Sequence, residues 1–234
     1  MKQLAFAFGA IPAPALDNFI PGRNAELLHQ LRQLAANRAA ERLIYVWGAP
    51  ASGRTHLLKG AVGAARNGGL DALYFACGRD APWPEGLGER DCIAVDDVER
   101  LDAAGQIALF NACNAVRERR GALIASGNVP PARLPLRADL VTRLGWGLVY
   151  EVHALSDEEK MQALRQRAAD HGFPLGDDVL RYVMSRAPRD MATLLAVTDA
   201  LDRHSLETKR AVTVTLAREL LQSLPERVSG TEDR

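Results

Sequence analysis

The chain has 234 residues, 47% of them hydrophobic and 25% charged, an ordinary globular composition with room for one large domain or a medium one plus a small one. Lys and Arg number 29 against 29 Asp and Glu, so no overall field draws the protein onto nucleic acid, and contact with DNA is expected to be local or through a partner. Cys77, Cys92 and Cys113 are odd in number and lack C-x-x-C spacing, which argues against a disulfide framework or a zinc site and points to the cytoplasm.

The N-terminal stretch MKQLAFAFGAIPAPAL has an apolar run after Lys2 that invites comparison with an export signal, but Gln3 precedes the run and Pro12 and Pro14 interrupt it. Leu4, Phe6 and Phe8 are poor placements on a terminal segment unless something covers them. Their cover is either a partner's pocket or, given their alternation, the edge of the chain's own sheet. No stretch approaches the ~20 apolar residues of a membrane span, so no membrane partner is expected.

From Arg42 to about Val152, short apolar runs alternate with helical segments. The strand candidates are 42–47, 72–77, 92–97, 122–127 and 148–152, and their continuous apolar character suits strands buried on both faces. The clearest helices are 55–66 and 102–120, the second with Ile107, Phe110, Ala112 or Cys113, and Val116 on one side. The pattern predicts an α/β fold with a parallel sheet and right-handed crossovers.

The stretch IYVWGAPASGRTHLL, residues 44–58, follows the first strand and opens the first of these helices. It has the frame of the phosphate-binding loop G-x-x-x-x-G-K-[ST], with Gly48, Gly53 and Thr55 in place and Arg54 where lysine is expected. The glycines let the backbone turn tightly, so that the N–H groups of Ala49, Pro50-Ala51, Ser52, Gly53, Arg54, Thr55 and His56, proline excepted, can converge on phosphate oxygens. Thr55 would offer its hydroxyl to Mg²⁺. The bland alternative is a glycine-bearing turn with no ligand. CIAVDD then ends a strand in Asp96 and Asp97, a Walker B pattern in which the first carboxylate holds the Mg²⁺ shell and the second orients a water. Arg54 can put positive charge beside phosphates, but its planar fork does not reproduce a compact ammonium, so binding is expected without fast self-hydrolysis.

After Ser156 only helices are predicted: 157–171, 176–187, 189–204 and about 213–221. Met191, Leu194, Leu195, Thr198 and Leu201 recur at helical spacing and can bury a common stripe. The expected organisation is an N-terminal segment 1–12, an α/β domain 13–153, a small all-helical domain 154–224 and a polar tail 225–234.

In order along the chain, GAPASGRTHLL, IAVDDVERL, IASGNVPP, DLVTRLGWGLVYEV and APRDMATLLAVTDALD resemble the motifs of the AAA+ module of the DnaA family of bacterial initiators. The similarity runs from residue 16 to about 222. It implies an AAA+ P-loop sheet with flanking helices followed by a helical lid, and an adenine nucleotide, ADP or ATP with Mg²⁺. Ile20 and Pro21, in LDNFIPGRN, are similar to the backbone patch beside the adenine. Asn128 falls at the sensor 1 position, where the family usually has Asp, and Arg189 matches the sensor 2 arginine. Arg143 matches the arginine finger, which points at a neighbouring subunit's nucleotide. The chain ends after the lid, an architecture that resembles the Hda family of DnaA-related regulators, whose N-terminal clamp-binding peptide Gln3, Leu4, Phe6 and Phe8 resemble. The resemblance implies DnaA and the DNA polymerase III sliding clamp as partners, DNA contact mainly through the clamp, and self-association as a further possibility. It implies activation of ATP hydrolysis in the initiator, weak turnover at most by the chain alone, and a cytoplasmic, replisome-associated location. An autonomous AAA+ ATPase or loader and a DnaA-like recruitment adaptor are the alternatives.

Overall fold

The computed structural model describes residues 12–78, 83–84, 86–119 and 121–222. The expected clamp-binding residues Gln3, Leu4, Phe6 and Phe8, and the polar tail, lie outside the described residues. Contacts divide the chain into two compact units, one spanning Pro14–Ala154 and the other holding Leu155 onward. No helix among the described residues is long and apolar enough to cross a membrane.

The first unit is built on five parallel strands, β1 (Leu43–Trp47), β2 (Ala72–Ala76), β3 (Cys92–Asp96), β4 (Ala122–Gly127) and β5 (Leu148–Glu151). Their order is β2-β3-β4-β1-β5, so β4 is central and β1 is flanked by β4 and β5. Each strand lies within one residue of its predicted limits, because strands covered on both faces must be apolar throughout and are legible as runs. Alternation sends Ile44, Val46, Ala94 and Ile124 into one core with the helices α1 (Ala25–Ala35) and α2 (Arg54–Asn67). Tyr45, Ile93, Val95, Leu123 and Ala125 enter the opposite core with α3 (Ala103–Arg119) and α4 (Ala138–Leu144).

Two features depart from expectation. Helix α1 precedes the predicted start of the alternating region, yet it buries Leu27, Leu28, Leu31, Leu34 and Ala35 on one face. On α3 the buried stripe is Leu109, Ala112, Cys113 and Val116, whereas Ile107 is 46% exposed. The spacing from Leu109 is i, i+3, i+4, i+7, and Ile107 falls off that arc. The three cysteines are free and buried, and burial pushes their thiols up to about 12, away from disulfide or zinc chemistry.

The second unit contains α5 (Asp157–Asp170), α6 (Asp177–Arg186), α7 (Met191–Thr208) and α8 (Val214–Gln222). Ser156 and Glu159 close a reciprocal capping box at the start of α5, and the Asp190 carboxylate accepts from the Thr193 N–H at the start of α7. The core gathers Leu164, Val179, Leu180, Val183, Leu194, Val197, Leu201, Ala217 and Leu220. Of the predicted α7 stripe, Leu194, Thr198 and Leu201 are buried, while Met191 and Leu195 sit at its edge. A two-pronged Arg167–Asp199 pair, 2.9 Å on each prong, joins α5 to α7.

All three tryptophans, Trp47, Trp83 and Trp146, belong to the first unit, so their fluorescence isolates its unfolding. In urea, Leu109→Ala is expected to destabilise that unit by about 2 to 5 kcal/mol through a core cavity. Ile107→Ala is expected to stay within about 0.5 kcal/mol. Equal losses would contradict the observed face of α3.

Candidate nucleotide-binding site

The loop 48–53 joins the end of β1 to the start of α2. A Cβ on Gly48 would lie 2.5 Å from the Val152 carbonyl oxygen, so no larger residue fits where the loop passes β5. Gly53 has φ +102°, and a Cβ there would meet the Phe19 ring at 2.9 Å. Between them Ala51 also has positive φ, +60°, a local strain of order 1 kcal/mol that the loop sustains. Helix α2 starts at Arg54 with no side-chain cap, leaving the first-turn N–H groups for an external acceptor. The Ser52 hydroxyl is enclosed without a partner among the described residues. A backbone cradle that excludes side chains, ends in an uncapped helix start and holds an unsatisfied hydroxyl fits a phosphate group.

Asp96, the last residue of β3, is 2% exposed and fully engaged. Its Oδ2 accepts from Thr55 Oγ1 and Tyr74 Oη, each at 2.7 Å, and its Oδ1 accepts from Ser126 Oγ. Burial, then the bond to Asp96, pushes the Tyr74 hydroxyl well above its ordinary range, so it stays a donor. Thr55 and Asp96 stand side by side, as a Mg²⁺ shell completed by phosphate oxygens and water requires. No group of three or more His, Cys, Asp or Glu side chains among the described residues forms a metal cage of its own.

Asp97 follows with a left-handed backbone, φ +56°. Its N–H donates to Ser126 Oγ at 3.0 Å. Its carboxylate faces Arg54 at 3.5 Å and Arg100 at 3.8 Å. Arg54 is thus directed at the C-terminal end of β3, with Nη1 enclosed and without a partner among the described residues. Glu99 has one enclosed, unpartnered oxygen, and burial raises its carboxyl above the usual glutamate range.

The segment ahead of α1 reaches this site. Phe19 lies against Gly53 and packs on His56, whose Nε2 is 2.9 Å from the Ala15 carbonyl oxygen. Ile20 is half-buried and Pro21 exposed beside it. Asn24 exchanges two 2.8 Å bonds with the backbone of His153, fixing the segment to the end of β5. Asn128 is exposed, one residue past β4. Next to it, the Val129 carbonyl accepts from Tyr45 Oη at 2.8 Å.

The remaining expected residues are Arg143 and Arg189. Arg143 is on α4, its guanidinium carbon 3.6 Å from the Trp146 ring centroid and 5.0 Å from that of Phe110. Arg117 approaches the same Trp146 ring at 4.6 Å. Arg143 Nε is enclosed without a partner among the described residues. Arg189 belongs to the helical unit, two residues before α7 and not at its first turn, and pairs with Asp157 at 3.2 Å. Motif spacing identifies Thr55, Asp96 and Asp97 but not Phe19, Tyr74 or Ser126, which reach the site from other elements.

Because burial raises the Glu99 carboxyl, its ionisation opposes folding. The stability associated with its protonated form is complete below the ordinary glutamate range and is lost as pH rises through the raised value. Glu99→Gln, which mimics the protonated acid, is therefore expected to raise the melting temperature at pH 7 to 8 and to leave it unchanged near pH 4. A shift independent of pH would contradict the burial of that carboxylate.

Residues 157–221 match the family model "Hda, lid domain". Among solved structures, domain III of the Thermotoga maritima replication initiation protein DnaA matches with TM-score 0.68 at 19% identity, covering 90% of this chain and 96% of that one. Replication initiator DnaA bound to AMPPCP and single-stranded DNA matches with TM-score 0.67 at 21% identity, covering 85% and 68%. The Thermotoga maritima RuvB Holliday junction branch migration motor matches with TM-score 0.62 at 16% identity, covering 92% and 73%. At these identities the structural matches establish the fold, a parallel P-loop sheet with flanking helices, and the family model identifies the helical unit. The helical unit is therefore similar to the Hda lid domain, and the chain shares its fold with the DnaA and RuvB structures.

Proposed function

We propose that this chain is a negative regulator of replication initiation that holds an adenine nucleotide, ADP in its working state, and stimulates ATP hydrolysis by the initiator DnaA. The stimulating group is Arg143, acting in trans as an arginine finger. Recruitment is by the sliding clamp through Gln3, Leu4, Phe6 and Phe8, so DNA contact is indirect and the site of action is the replisome. The match of residues 157–221 to the Hda lid supports a DnaA-related regulator. The AMPPCP bound to the DnaA neighbour supports an adenine nucleotide at the loop.

The observation that carries the mechanism is the setting of Arg143. Its guanidinium lies over the Trp146 ring beside Phe110 and has no carboxylate partner among the described residues. Aromatic faces hold a guanidinium in place, worth about 0.5 to 2 kcal/mol, without neutralising its charge. Such a cation is available to the developing negative charge on a transferring phosphoryl group. Within the chain's own site, Thr55 and Asp96 would hold the Mg²⁺ shell, Ile20 and Pro21 would border the adenine, and Arg189 would act as the lid's sensor. Bound nucleotide and Mg²⁺ would supply negative oxygens and a compensating dication there.

The likeness to the RuvB motor favours a second reading, an autonomous AAA+ ATPase that uses Arg143 between identical subunits. Steady-state turnover by the purified chain separates the two, since robust hydrolysis without a partner belongs to a motor.

Arg143→Ala is expected to leave ADP binding and clamp capture intact and to remove the stimulation of initiator ATP hydrolysis, a loss of about 10³-fold or more. Unchanged stimulation would sink the finger assignment. Replacing Gln3 and Leu4 together by Ala is expected to abolish capture on immobilised clamp, and capture that survives would move that contact elsewhere.

A further inference from the structure

We propose that Asp97 is the positioning residue for Arg54, and that their ion pair withdraws both groups from phosphate chemistry, so that the loop retains a nucleotide instead of turning it over. The inference rests on reading residues 48–55 as a phosphate loop. It does not depend on the initiator being the partner.

Arg54 is the first residue of α2, directly after Gly53. A lysine in this position sends its ammonium to the β- and γ-phosphates. Here the side chain turns to the end of β3, where Arg54 Nη2 lies 3.5 Å from Asp97 Oδ1, with the two side chains 12% and 27% exposed. At that depth the attraction is only partly screened by salt. The position of Asp97 is set independently of Arg54 by its left-handed backbone and the bond from its N–H to Ser126 Oγ. Arg100 meets the other carboxylate oxygen at 3.8 Å from the solvent side.

Both oxygens of Asp97 therefore face guanidinium groups, and neither is left to orient an attacking water. Glu99, on the same turn, adds a second negative charge that acts on Arg54. Asp97 and Glu99, two carboxylates on one turn, hold the Arg54 guanidinium at the sheet end. The Arg54 substitution and the retained Walker B pair are then one device: the arginine occupies the carboxylate that hydrolysis would use.

ADP affinity measured in EDTA, so that loss of a Mg²⁺ ligand cannot enter, tests the pair in four chains: the natural protein, Asp97→Ala, Arg54→Met and the double variant. Asp97→Ala is expected to tighten ADP binding about tenfold, because the released guanidinium reaches a phosphate, the size of one charge-assisted hydrogen bond. In the Arg54→Met background the same substitution is expected to change affinity less than about twofold, since only the long-range field is altered. An equal gain in both backgrounds would overturn the proposal. Asp97→Asn replaces Asp97→Ala if the latter does not fold, with the same two expectations. If none of the four chains binds ADP, the phosphate-loop reading fails, and thermal melts of the same chains decide the pair. Non-additive melting shifts support it, and additive ones overturn it.

Discussion

A carboxylate removed from water is costly unless its oxygens find donors, and both oxygens of Asp96 are met by three hydroxyls from three elements. Thr55 comes from α2, Tyr74 from β2 and Ser126 from β4. The requirement therefore fixes the height of α2 above the sheet and aligns the ends of β2, β3 and β4. Ser126 passes the constraint on by accepting the Asp97 N–H, which orients the next carboxylate. The loop from Gly48 to Gly53 is strung between this node and the end of β5, where the Val152 carbonyl and the Phe19 ring leave no room for side chains.

Two arginines then divide the available positive charge. Arg54 is directed inward to an acidic turn, and Arg143 lies on an aromatic surface with no carboxylate among the described residues to neutralise it. The first arrangement suits retention of a ligand and the second suits action on charge that develops outside the chain. Under the proposed function these are complementary: a protein that seldom spends its own nucleotide can remain in one state while it triggers hydrolysis in a partner. The fold is shared with initiators and with a branch migration motor, so the fold by itself does not distinguish these functions.

The strands were legible because burial on both faces forces continuous apolar runs, and Thr55, Asp96 and Asp97 because their spacing follows from strand ends and helix starts. Helix α1 was harder to read: Asn24 at its start makes no cap, its amide being committed to His153, so the usual start signal has a tertiary purpose. On α3, alanines on several sides flatten the contrast that would have shown Ile107 to face out and Leu109 to face in. Tyr74 and Ser126 sit in apolar runs where nothing local signals a buried acceptor on β3. The partner of Arg54 was likewise unreadable, because residues 54 and 97 meet only once the sheet places β1 and β3 on either side of β4.

The central claim is that the nucleotide this chain holds is not the one hydrolysed. It is tested most directly by loading ATP labelled at the γ-phosphate onto either this chain or the initiator, mixing the two with clamp loaded on DNA, and following label release in a single turnover. Rapid release of label carried by the initiator, with label carried by this chain retained over the same interval, is the expected result. Faster release from this chain than from the initiator would contradict the account.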